Sequence, residues 1–204
     1  MPEKHSNETL KPLKTRANGR ATREKILQAA REIIIERGTD SLSIDRVISL
    51  AGASKGTYLY HFPHREALIE ALVKEYAKHL NDVQSSLENE AADQSPLLTA
   101  YEAWYEKFSS GKLDNGSSPL IALAMASHEN RRFMEPVRQW YRSYFDRVKQ
   151  EPCGAARALI YTLAYDALFF HHLFGTDVLT TEEKRSIIEE LRRFSDEKLP
   201  REGD

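Results

Sequence analysis

The sequence predicts an all-α protein in two parts, a short N-terminal helix-turn-helix domain and a larger helical C-terminal domain, with about nine helices in total. Three observations lead there. Apolar residues recur at three- and four-residue intervals through almost every segment, and no alternating run of strand type interrupts them. Glycines and Ser-Pro pairs fall between those periodic segments, where helices stop and start. Charge is also divided along the chain: through Lys78 there are 14 Lys and Arg against 10 Asp and Glu, and beyond it 15 against 21. A basic first part joined to an acidic second part implies one portion that meets a polyanion and one that does not.

The first helix is read from REKILQAAREIIIERG. Ile26, Ala29, Ala30, Ile33 and Ile34 share one face, and Gly38 ends the run. A second, short helix follows Ser43 as N-cap, with Ile44, Val47 and Ile48 inward. Ala51-Gly52-Ala53 breaks it. Ser54 caps a third, which stops before Pro63 because the residue preceding proline is pushed out of α geometry. Residues 64–87 then form a long connecting helix. In the acidic part, Ser95-Pro96 and Ser118-Pro119 each read as an N-cap with proline at the first helical position, separated by a loop at 111–118. Further helices are expected over 131–150, bent near Pro136, over 154–174, closed by Gly175, and from Thr180, where T-T-E-E fits a capping box. The divisions expected are a flexible basic arm at 1–19, a helix-turn-helix at 20–65 and a second domain at 66–204. The arm either tracks phosphates or merely solubilises the chain.

Two very short helices joined by a glycine turn, after a longer amphipathic one, outline a helix-turn-helix, whose third helix enters the major groove. On SKGTYLYHF, Ser54, Thr57, Tyr58 and His61 are read as one face, while Leu59 and Phe62 pack back on Ile44, Val47 and Ile48. Hydroxyl, imidazole and ammonium groups are donors suited to phosphate oxygens and base edges.

Within residues 23–72, on AREIIIERG and then LSIDRVISLAGASKGTYLYHFPHREALIEAL, the chain resembles the TetR family of one-component bacterial regulators. The resemblance implies a homodimer that binds a double-stranded DNA operator and is released from it by a small-molecule effector. By position, Lys55, Gly56 and Thr57 resemble the family's base-reading start of the third helix. Ser43, Ser54, Tyr60, His61 and Arg65 resemble its phosphate contacts. Leu59 stands where the family commonly has tyrosine, and Tyr58 where it has leucine or phenylalanine, so Tyr58 is included among the expected DNA contacts. Activation rather than repression, and sequence-tolerant binding without effector, stay open as alternatives.

The acidic part is dense in aromatic residues at helical spacing. Such stripes are core more often than ligand box. Set beside the resemblance, Tyr101, Trp104, Phe108, Met125, His128, Trp140, Tyr144 and Tyr165 are the candidate effector pocket. Helix 154–174 is apolar nearly all round and the helix at 181–195 carries a clean apolar stripe, so this pair is expected to pack against its twofold mate.

Catalysis finds no support in the sequence. The seven histidines form no HExxH pair, there is no Cys-x-x-Cys, and no glycine-rich phosphate loop occurs. No cofactor, metal site or catalytic residue is expected. The longest apolar run, 158–170, is too short to span a bilayer and contains Asp166. With one cysteine, Cys153, and no leader of secretory type, the expectation is a cytoplasmic protein without membrane contact.

Overall fold

The computed structural model describes residues 13–91, 95–112 and 131–196. They form eight α-helices: α1 (Leu13–Arg37), α2 (Ile44–Ala51), α3 (Lys55–His61), α4 (Arg65–Glu90), α5 (Pro96–Ser109), α6 (Glu135–Val148), α7 (Ala155–Leu173) and α8 (Thr181–Asp196). No strand occurs among the described residues. The expected helix after Pro119, with Met125 and His128, lies outside them. No helix among them is long and apolar enough to cross a membrane.

The chain divides into two compact units, Met1–Leu72 and Val73–Asp204. The boundary lies beyond the expected 65/66, because Leu68, Ile69 and Leu72 at the start of α4 are buried with the first unit. The arm was also drawn too long. Residues 13–19 belong to α1, since LKTRANG is mostly made of residues that tolerate a helix and follows the last proline of the N-terminus.

In the first unit, Ile26, Ala29, Ala30, Ile33 and Ile34 of α1 are buried as their spacing predicts. The Gly38 N–H closes the helix on the Ile34 carbonyl at 3.0 Å. Ser43 starts α2 in extended geometry and accepts from the Arg46 N–H at 3.4 Å. Gly52, at φ 62°, turns the chain out of α2 in the left-handed region that glycine occupies without strain. Ser54 then accepts from the Thr57 N–H at 3.1 Å and opens α3. Both caps satisfy amides that such short helices leave unpaired.

The inward face of α3 differs from the expectation. Tyr58 is fully buried and Phe62 nearly so, their ring centroids 5.9 Å apart, while Leu59 faces outward. Leu59–Phe62 at i, i+3 and Tyr58–Phe62 at i, i+4 are both permitted pairs on a helix. The larger aromatic ring takes the interior, and Phe62 is covered in turn by the Arg23 guanidinium, 5.3 Å from its centroid. Tyr58 is therefore a packing residue, its side chain buried and not exposed as the expected DNA contact would need.

In the second unit, α5, α6 and α7 bury Tyr101, Tyr105, Tyr144, Tyr161, Tyr165 and Phe169. Pro136 starts α6 instead of bending a longer helix. A 3-10 turn at Arg131–Met134 precedes it, and proline in a first turn has no intrahelical amide bond to lose. The Thr180–Glu183 box forms as expected, with the Thr180 N–H donating to Glu183 at 2.7 Å and the Glu183 N–H to the Thr180 hydroxyl at 3.2 Å.

Among the described residues the buried Tyr58 hydroxyl has no hydrogen-bond partner. Tyr58→Phe is expected to raise unfolding free energy by about 1 kcal/mol, because a buried donor without a partner carries its full desolvation penalty. Denaturant titration tests this; a loss of similar size would mean that the hydroxyl is paired.

Candidate functional site

The outward stripe of α3 consists of Lys55, Gly56, Leu59 and Tyr60, all exposed, Tyr60 at 83%. These positions are i, i+1, i+4 and i+5, one continuous strip of a helix surface. No acidic side chain occurs on α3. The remaining candidates have local tasks. The Ser54 and Thr57 hydroxyls are 2.8 Å apart and hydrogen-bonded to each other. His61 is half-buried, its ring 5.0 Å from that of Tyr60. Arg65 donates through Nε to the Leu42 carbonyl at 3.0 Å, which ties the loop before α2 to the start of α4. Such a strip presents an ammonium, a phenol and an apolar side chain around a bare glycine backbone. It is suited to a groove lined with phosphates, base acceptors and thymine methyl groups.

A second feature lies wholly within the second unit. Tyr76, Leu80 and Gln84 of α4, Tyr101 and Trp104 of α5, Trp140 and Tyr141 of α6, and Phe169 of α7 surround a recess of about 280 Å³, counting the space at its mouth. Its closed interior has room for about one water molecule. Beside it Asp166 of α7 is buried, 7% exposed. The Tyr101 and Tyr141 hydroxyls both donate to Asp166 Oδ1, the latter at 3.1 Å. Burial lifts the Asp166 carboxyl to about 6, while the two phenol hydrogen bonds pull in the opposite direction. Burial likewise pushes the Tyr101 and Tyr141 phenols upward, so both remain protonated donors.

Two family models match this chain. One, described as bacterial regulatory proteins of the tetR family, covers residues 26–72; the other, described as a tetracyclin repressor-like C-terminal domain, covers residues 102–196. The chain belongs to the TetR family. It is 42% identical over 59 residues to the HTH-type transcriptional regulator YvdT of Bacillus subtilis, a stretch that is 29% of this chain and 30% of that protein. Over 52 residues it is 44% identical to the HTH-type transcriptional regulator UidR of Escherichia coli, 26% of each chain. The chain thus aligns with less than a third of the length of these relatives. The fold of the Streptomyces coelicolor protein SCO7518 superposes with a TM-score of 0.68, at 21% identity over 86% of this chain and 99% of that one.

In this TetR-family chain the aromatic candidates separate into two groups. Tyr101, Trp104 and Trp140 line the recess. Tyr144 stands behind it, its ring stacked 5.2 Å from Tyr101 and 5.4 Å from Trp140, while its hydroxyl donates to the Leu97 carbonyl at 2.8 Å. Phe108 packs against Trp104 and Phe169 without reaching the recess. Tyr165 is elsewhere, edge-on to Tyr105 and beside Tyr161, whose hydroxyl donates to Glu102 at 2.7 Å. Sequence reasoning missed Tyr76, Leu80, Gln84, Tyr141 and Phe169, and above all Asp166. A lone carboxylate inside an apolar helical run was the available signal.

The raised Asp166 value carries a sign. The folded chain holds this proton more firmly than the unfolded chain does, so stability falls as pH rises from about 4 through about 6 and is then level. Asp166→Asn keeps an acceptor for both phenols and lacks the titration. Its advantage over the parent is expected to grow from near zero at about pH 4 to on the order of 2–3 kcal/mol above pH 6. Paired melting curves across that range measure it, and a constant difference would contradict a buried, titrating Asp166.

Proposed function

We propose that this chain is a dimeric, DNA-binding transcriptional regulator, a repressor that leaves a near-palindromic operator when a small molecule occupies the recess of its second unit. The exposed, acid-free strip Lys55–Gly56–Leu59–Tyr60 carries the reading. Ser43 and Ser54 fix the starts of α2 and α3 through their caps and take a phosphate only with their remaining capacity. Lys55 is the base- or phosphate-seeking cation, Tyr60 and His61 supply backbone donors, and Leu59 offers apolar contact to a thymine methyl or sugar. Arg65 acts by holding the loop before α2.

Support for a dimer comes from α7. Ile160 and Leu163 are more than half exposed in the isolated chain, with exposed Ala156 and Ala167 on the same helix, whose opposite side buries Tyr161, Tyr165 and Phe169. A twofold mate laid on this face, with α8 alongside, would cover them, and twofold symmetry pairs two α3 helices with a palindromic site. The coupling is assigned to α4. That helix contributes Leu68 and Leu72 to the first unit's core and Tyr76, Leu80 and Gln84 to the recess. A ligand that favours an opened recess shifts the dimer toward a state whose α3 spacing no longer fits the operator, with a typical coupling of about 1–3 kcal/mol.

Gly56 supplies a test that Lys55 alone does not. A Cβ built on it would meet only the Ser54 hydroxyl, at 3.9 Å, which is ordinary contact. The fold therefore does not require glycine there. Gly56→Ala is expected to stabilise the chain by about 0.5–1 kcal/mol, and to weaken binding to a duplex selected from a random pool by tenfold or more, since the methyl group occupies space against DNA. Lys55→Ala is expected to lose about 1–3 kcal/mol on that duplex and to relax sequence choice at one position. Fluorescence anisotropy at fixed, near-physiological salt measures both. A uniform loss on all sequences would assign Lys55 to phosphate, and full affinity in Gly56→Ala would remove α3 from the interface.

A further inference from the structure

We propose that the recess in the second unit binds an organic cation, a quaternary or protonated amine held against the faces of Trp104 and Trp140 with Asp166 as its counter-charge. The proposal rests on the reading of this recess as the effector site and names the ligand's chemistry.

The decisive observation is a contrast between two buried carboxylates of the same unit. Glu102 accepts from Arg192 Nε at 2.6 Å and from the Tyr161 hydroxyl, so its charge is met by a cation. Asp166 is equally buried, yet the groups that face it are Tyr76 from α4, Tyr101 from α5, and Tyr141 and Tyr144 from α6. All are phenols, which donate hydrogen bonds but bring no positive charge. Among the described residues no Lys, Arg or His lines the recess. A buried carboxylate is ordinarily paired with a cation or neutralised. Here the chain provides the negative partner and no described residue supplies a positive one at Asp166, which leaves that role to a ligand.

The walls agree with this assignment. Trp104 lies 5.5 Å from Tyr101, and Trp140 lies 5.0 Å from Tyr141. Indole and phenol faces attract a cation through their quadrupoles, the more so where water is excluded. An anionic guest would instead meet Asp166 without a screening cation, and a neutral one would leave the carboxylate unpaired. Since the closed interior holds about one water, entry requires the half-buried indoles at its edge to swing aside. That movement connects occupancy to the position of α4.

The chain has two tryptophans and both line the recess, so intrinsic tryptophan fluorescence of the full-length protein reports on this site alone. The probe is benzyltrimethylammonium, compared with neutral neopentylbenzene of the same shape and with anionic 3-phenylpropionate. The cation is expected to give a saturable change with at least tenfold tighter binding than either comparator. Asp166→Asn is expected to remove that preference, and Trp140→Leu, read through Trp104, to reduce it while sparing the neutral compound. Affinity for the cation is expected to fall about tenfold between pH 7 and pH 5 in the parent and to stay level in Asp166→Asn. Equal binding of the neutral compound, an undiminished preference in Asp166→Asn, or no saturable response to the cation overturns the proposal. Binding to the selected duplex is followed in the same samples. Cation binding that leaves DNA affinity unchanged upholds the cation site and sinks the regulatory reading. A neutral or anionic compound that releases the duplex, where the cation does not bind, does the reverse.

Discussion

The hydrogen bonds that Tyr101 and Tyr141 donate to Asp166 tie α5 and α6 to α7 in a place from which water is largely excluded. Such bonds are stronger there than at a surface, and failure to form them is correspondingly expensive. They fix the rotation of three helices about their axes, because a tyrosine hydroxyl reaches a carboxylate from only a narrow range of helix orientations. The aromatic stacking follows from that rotation: Tyr101 lies on Tyr144, Tyr144 on Trp140, and Trp104 against Phe169. Without the polar junction, interchangeable apolar side chains would allow the same helices to pack in several registers. With it, the helices that carry the aromatic walls of the recess have one packing register.

The first unit solves a different problem. Helices of eight and seven residues are too short to be stable in water on their own, so α2 and α3 exist because their ends are capped and one face of each is buried. For α3 the buried face is Tyr58 and Phe62, and this choice determines which side chains the helix presents outward. Rotating the helix by one residue, so that Leu59 pointed inward, would turn Lys55 inward with it and bring Thr57 and His61 into the exposed strip. Which residues α3 presents outward is thus a consequence of core packing, with the caps holding the register.

Much of this was legible in the sequence. Helix limits at Gly38, Ser43, Gly52, Ser54 and Thr180 depend on local backbone chemistry, which is carried by the residues themselves. The apolar stripe of α1 depends on periodicity alone. What could not be read was every choice between geometrically equivalent partners. Tyr58 and Leu59 are both within reach of Phe62, and the volume beneath α3 decides between them. Pro136 was compatible with a bend or a helix start, and the 3-10 turn before it made the difference. Among the aromatic candidates, Trp104 and Tyr165 look alike in one dimension. They face different surroundings because α7 presents Asp166 and Phe169 on the side of the recess and Tyr165 on the side of Glu102.

Asp166 shows why a charged residue within an apolar helix merits a structural reading before a compositional one. In one dimension it is only an interruption of hydrophobicity, informative about what the segment cannot be. In three dimensions it is a carboxylate whose hydrogen bonds come from neutral groups, whereas Glu102 in the same unit has its guanidinium. The same residue therefore serves two ends that pull against each other: it orders the helices through the two phenols, and it leaves a charge uncompensated. A purely structural polar junction could be built as well with asparagine, without that electrostatic burden. The proposed cation would use that charge, and α4, which lines the recess with Tyr76, Leu80 and Gln84, is the element through which such use would reach the rest of the chain.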